Sequence, residues 1–162
     1  MKVKLAAKPT IDSIVDGIGL RTVFWFQGCN HHCKNCHNPD TWDFDKGFIV
    51  DTDELVQFYR RQSLQAGITI SGGDPFYQPN ALLDLLIKLQ DVNIWIYTGF
   101  TYEYIFDHFN QYLQYIDVLV DGLYIDKLRD LSLYFKGSSN QRVIDVQATL
   151  KNSSIIEINF ED

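Results

Sequence analysis

Short apolar runs alternate along this chain with longer stretches whose apolar residues recur every three or four positions, a pattern that predicts strands alternating with helices. Residues 20–27, Leu-Arg-Thr-Val-Phe-Trp-Phe-Gln, are rich in β-branched and aromatic side chains and stop at Gly28, as a strand running into a loop does. Thr52 is placed to cap a helix carrying Leu55, Phe58 and Tyr59. Gly67 opens a second strand, Ile68-Thr69-Ile70, which runs into Ser71-Gly72-Gly73-Asp74-Pro75. Pro79 suits the first turn of a helix whose Leu82, Leu85, Leu86 and Leu89 share one face. Ile94 to Tyr97 forms the next strand and ends at Thr98-Gly99, after which Thr101 caps a helix carrying Ile105 and Phe109. Val118 to Val120 ends at Asp121-Gly122, and Ile155 to Phe160 reads as a final strand.

Three short strands, apolar enough to be buried on both faces, therefore end in loops that pair a glycine with a polar residue. That is the pattern of a mostly parallel sheet with outer helices, in which ligands collect beyond the carboxyl ends of the strands. The predicted architecture is α/β, a partial (truncated) β/α barrel, because 162 residues fall well short of eight barrel units. With 46% hydrophobic and 14% aromatic residues, the chain is expected to build one core and so a single domain over residues 1–162.

A net charge of −7 with no cluster of lysine and arginine argues against a nucleic-acid partner. No apolar run reaches the length of a signal peptide or membrane span, so a cytoplasmic protein without a membrane partner is expected. The three cysteines, Cys29, Cys33 and Cys36, all fall within eight residues, which makes a disulfide framework improbable and points to a soft metal or a cluster. A cubane 4Fe-4S cluster ordinarily takes four cysteines, so with three either another side chain is the fourth ligand or the fourth iron is left for a substrate. A Cys3His zinc site with His31, His32 or His37, in a non-enzymatic interaction module, stays open on spacing alone, as does an iron–sulfur electron carrier.

Gly72-Gly73-Asp74-Pro75 combines two residues free to take positive φ with a carboxylate able to receive an ammonium and a chain-stiffening proline, and it reads equally well as a plain turn. With Cys29, Cys33 and Cys36 after the first strand and this motif after the second, the chain resembles the radical S-adenosylmethionine superfamily. Asp16-Gly17, Leu20 to Thr22, Phe24 to Asp43, Ser71 to Phe76 and Lys136 to Asp145 are similar to the activating proteins of anaerobic ribonucleoside-triphosphate reductases.

The resemblance implies that Cys29, Cys33 and Cys36 ligate a 4Fe-4S cluster whose open iron is chelated by S-adenosyl-L-methionine. Gly72 and Gly73 are then expected near the methionyl end, Asp74 near its ammonium, the backbone of Asn35, Cys36 and His37 near adenine, and Tyr97, Thr98 and Asp121 in the rest of the pocket. It implies a glycyl radical made on the catalytic subunit of the reductase, with a low-potential electron donor such as flavodoxin; activation of another glycyl-radical enzyme is the alternative. The chain departs from the superfamily pattern at Asn35, where an aromatic residue is common, and at Asp74, where glutamate is usual. Phe76, Tyr77, Phe100, Tyr102 and Tyr104 follow the strand ends and divide between a docking surface and core packing, while Arg142 is placed to meet a carboxylate and Ser138 and Ser139 to shape a turn.

Overall fold

The computed structural model describes residues 1–160. Seven strands, β1 (Lys2–Ser13), β2 (Arg21–Phe26), β3 (Phe48–Asp51), β4 (Gly67–Gly72), β5 (Ile94–Tyr97), β6 (Val118–Asp121) and β7 (Arg142–Asp145), form one sheet in the order β3-β1-β2-β4-β5-β6-β7. β2, β4, β5 and β6 are mutually parallel, β7 opposes β6, and β1 opposes both β2 and β3, so β3 points the same way as the parallel core. The mostly parallel α/β sheet is as predicted. Among the described residues β3 and β7 stand at opposite ends of the strand order with no pairing between them.

Four helices, α1 (Thr52–Arg61), α2 (Pro79–Lys88), α3 (Tyr102–His108) and α4 (Val146–Asn152), cover one face. Phe24, Ile70, Ile96 and Leu119 alternate out of their strands into a buried cluster with Leu55, Leu82, Leu85, Ile105 and Val146 from the helices. On the other face Trp95, Val118, Val120 and Val143 pack with Phe135 and Phe160. Burial on both faces is why these strands read as continuous apolar runs. Arg21 also lies on that second face, 1% exposed, with its guanidinium donating to Thr69 Oγ1 and to the carbonyls of Ile18, Ile68 and Asn93. Burial lowers its pKa to about 10. None of the described helices is long and apolar enough to cross a membrane.

Several elements differ from the sequence expectation, each for a physical reason. β1 buries only Val3, Leu5 and Ser13 of its twelve residues, so its mixed composition hides a strand that exists through pairing with β2 and β3. β7 and α4 likewise follow from contacts with β6 and the core rather than from a strong local pattern. Ile155 to Phe160 is not a regular strand; β7 is only four residues long and receives the tail through one bridge, Ile144 to Glu157, and two backbone hydrogen bonds. The cap of α1 is Asp51, whose carboxylate accepts from Asp53 N, while Thr52 is already helical and donates to Asp84 in α2. Thr101 caps α3 as predicted, accepting from Tyr104 N at 3.2 Å.

Candidate functional site

Because β2, β4, β5 and β6 are parallel, the loops that follow them emerge at one edge of the sheet. There Cys29, Cys33 and Cys36 line a pocket of about 140 Å³ together with His31, His37, Gly72, Gly73, Asp74, Tyr97 and Thr98. The cysteine loop is held from two sides. A short turn at Pro39–Thr41 folds back so that Gly28 N donates to Thr41 O (2.6 Å) and Cys29 N to Trp42 O (3.2 Å), with the His32 ring stacked on Trp42 at 4.8 Å. From β4, Gly73 N donates to Phe26 O (2.8 Å) and Asp74 N to Gly28 O (2.9 Å). Gly73 is required there because a Cβ would overlap the carbonyl oxygen of Gly28.

All three cysteines are free, Cys29 buried and the other two half-buried. Burial pushes the Cys29 thiol up to about 11, with the His31 N–H partly offsetting it, and burial also raises Cys33, offset by the Tyr124 N–H. Among the described residues no three His, Cys, Asp or Glu side chains converge to hold one metal ion. Three free thiols in one loop, lining a pocket beside Gly72 and Gly73, are a donor set suited to an iron–sulfur cluster.

The remaining predicted residues fall into two groups. Cys36, His37, Gly72, Gly73, Tyr97 and Thr98 face the cysteine pocket. The Tyr97 hydroxyl is buried without a hydrogen-bond partner, and burial pushes the phenol pKa far up. Asn35 does not line the pocket; its backbone is left-handed (φ 57°) and its side chain donates to Asp126 Oδ2 at 2.9 Å. Asp121 turns toward a neighbouring cleft of about 450 Å³ that shares His31, Gly99 and Gly122 with the first. There it is 1% exposed, accepts from Tyr102 N, and pairs with Arg142, which also grips Glu103. Asp74, also 1% exposed, is engaged with protein donors on all sides.

Phe76 and Tyr102 are buried in the core, whereas Tyr77 and Phe100 are half-buried and Tyr104 is exposed. Ser138 shapes a turn, its hydroxyl accepting from Ile125 N, and Gln141 closes the same turn by accepting from Gly137 N and Ser138 N. Trp42, Tyr124 and Gln141 also line the pocket, and nothing in their spacing announced it. The contact of Cys33 with the Tyr124 backbone joins segments that only the sheet brings together.

The class that this fold and pocket define is an iron–sulfur protein: residues 15–144 match the family of 4Fe-4S single cluster domains. An anaerobic ribonucleoside-triphosphate reductase-activating protein of Haemophilus influenzae is 33% identical over 138 residues, covering 79% of this chain and 89% of the relative. Proteins described in the same words are 35% identical from Vibrio cholerae, over 79% of this chain and 89% of theirs, and 34% identical from Enterobacteria phage T4, over 80% and 86%. At that identity and coverage, the chain belongs to the anaerobic ribonucleoside-triphosphate reductase-activating protein family.

Proposed function

We propose that this protein is a cytoplasmic radical S-adenosylmethionine activase, a single domain over residues 1–162 built as a truncated barrel, that makes a glycyl radical on the anaerobic ribonucleoside-triphosphate reductase. The observation that carries the reading is the pocket of three free thiols against Gly72 and Gly73 at the carboxyl edge of parallel strands. Family membership supports both the cluster and the target. Cys29, Cys33 and Cys36 would hold three irons, leaving the fourth for the amino and carboxylate groups of S-adenosyl-L-methionine. When bound, the cluster supplies one-electron reduction of that cofactor to methionine and a 5′-deoxyadenosyl radical, which takes a hydrogen atom from a glycine of the reductase.

The chain's own contribution is binding, orientation and exclusion of water. Gly72 and Gly73 pack directly against the backbone of Phe26 and Gly28, which holds the end of β4 beside the cysteine loop, where their backbone would meet the methionyl end. Tyr97 contributes to the lining from the end of β5, while its ring packs with Trp95 and Val120 on the second face of the sheet. Cys36 and His37 close the side proposed for adenine. A low-potential donor such as flavodoxin would deliver the electron.

The experiment is anaerobic reconstitution with iron and sulfide, reduction, addition of S-adenosylmethionine, and assay of 5′-deoxyadenosine against a Cys33→Ala control. Product that depends on Cys33, followed by a glycyl radical signal on the reductase and not on other glycyl-radical enzymes, is the expected result. A full cluster without product under strong reduction would leave an electron carrier, and uptake of zinc in place of a cluster would sink the enzyme reading.

A further inference from the structure

Asp74 is buried and crowded with protein donors. Its carboxylate takes the Thr98 hydroxyl (2.8 and 3.0 Å to its two oxygens), the backbone N–H groups of Gly99 (2.9 Å) and Phe76 (3.1 Å), and the Nε2–H of His31 (2.7 Å). Three of these donors converge on Oδ2, while Oδ1 takes the Phe76 N–H and shares the Thr98 hydroxyl proton. With the residue 1% exposed, an ammonium arriving at Oδ2 would have to displace one of these donors and leave it buried and unpaired.

His31 is the donor that comes from the cysteine loop. It is the middle residue of the three that separate Cys29 from Cys33, so fixing its ring fixes the span between two thiols. The ring stands edge-on to Phe100 (4.6 Å between centroids) and 5.4 Å from Tyr77, and it occupies space that any side chain at position 99 would take, since a Cβ there would lie 2.6 Å from the imidazole. Two neighbouring residues of the same loop, His32 (φ 53°) and Asn35 (φ 57°), hold left-handed backbone, a conformation that persists only where surrounding contacts impose it. Thr98 and Gly99 follow β5, and Phe76 belongs to the turn after β4. Asp74 thus ties three loops together at one buried point.

We propose that Asp74 is a positioning residue that latches His31, and with it the Cys29–Cys36 loop, onto the ends of β4 and β5, and that the cofactor ammonium is met elsewhere. This rests on the cluster-binding role proposed for the loop. The latch prepares the thiols before iron arrives and restrains them afterwards, so its loss is felt first in how tightly the cluster is kept.

The test compares the parent protein with Asp74→Asn, His31→Ala, His31→Gln and the double variant Asp74→Asn/His31→Ala, all reconstituted with iron and sulfide. Two readouts are taken: the rate of iron loss to a chelator, and the EPR spectrum of the reduced cluster before and after S-adenosylmethionine is added. Asp74→Asn and His31→Ala should each speed iron loss about tenfold, as expected for losing a charge-assisted hydrogen bond. The double variant should stay within about twofold of either single variant because the two residues act as one unit. His31→Gln, which keeps a side-chain donor, should recover part of the loss, and every variant that holds a cluster should still show the spectral change on adding S-adenosylmethionine.

Unchanged iron loss in Asp74→Asn, together with a spectrum that no longer responds to S-adenosylmethionine, would make Asp74 the ammonium ligand and overturn the proposal. Independent, multiplying effects in the double variant would overturn the latch. Should Asp74→Asn fail to fold, the two His31 variants decide alone: equal iron loss in His31→Ala and the parent overturns it. Failure of the parent itself to assemble a 4Fe-4S cluster is a separate result and strikes the proposed function instead.

Discussion

Gly73 sits where two backbones touch. Its N–H donates to Phe26 O at 2.8 Å and the position a Cβ would take is filled by the Gly28 carbonyl. Gly73→Ala must therefore push the start of the cysteine loop away from β4, at a cost of about 1–3 kcal/mol for the overpacking. The expected outcome is a folded protein with a lower urea midpoint and severalfold less iron after reconstitution; normal iron content would show that the loop tolerates the shift. The glycine pair and the three cysteines were legible in the sequence because each residue type carries its chemistry with it. The fates of the carboxylates were not. Asp74 lies just after β4 and Asp121 closes β6, and both looked available to a ligand, yet one is taken by His31 and Thr98 and the other by Arg142. Which donor reaches a carboxylate depends on partners 21 to 43 residues away, and spacing does not encode that.

Arg142 is the pin between β7, β6 and α3. It meets Asp121 Oδ2 at 2.6 Å and Glu103 Oε2 at 2.7 Å, and Asp121 is 1% exposed. Arg142→Ala leaves that carboxylate buried with only the Tyr102 N–H, so a loss of about 3 kcal/mol is expected in urea unfolding. Adding Asp121→Asn should return most of it, because the uncompensated charge is then gone; no recovery would mean that the arginine's packing dominates. Asp117, at the entry to β6, accepts from Ile94 N at 2.8 Å, and burial raises its pKa above the ordinary carboxylate value. The folded state therefore keeps this proton to higher pH than the unfolded chain does. Its contribution to stability is fully present below about pH 4 and is lost as pH rises through the raised value. Asp117→Asn retains an oxygen for Ile94 N and should unfold at higher urea than the parent at pH 7, with the gap closing toward pH 4; a gap independent of pH would reject the linkage. Elements set by local periodicity, β2, β4, β5, β6 and the first three helices, were readable in advance. β1, β3 and β7 were not, because a short edge strand such as β3 or β7, or a long strand with few buried residues such as β1, is specified by the strands it pairs with.

At the scale of the whole molecule, the proposed reaction requires a second protein to bring a glycine to the edge of the sheet where the four loops meet. A line of rings leads away from that edge: His31 against Phe100 (4.6 Å), Phe100 stacked on Tyr104 (4.6 Å, 10°), and Tyr104 stacked on His108 (4.0 Å, 15°). Tyr104 is 39% exposed and lines the cleft that adjoins the cysteine pocket, which makes it the ring best placed to meet an incoming protein. Aromatic anchors of this kind carry a disproportionate share of binding energy at interfaces. Tyr104→Ser is accordingly expected to raise the KM for the reductase about tenfold, the effect of truncating one such anchor. Formation of 5′-deoxyadenosine without the reductase should be untouched, because Tyr104 lies outside the pocket that holds the three cysteines. An unchanged KM with intact glycyl radical yield would move the docking surface off α3. Equal losses in both assays would mean instead that the ring line steadies His31, and through it the cysteine loop, rather than the partner.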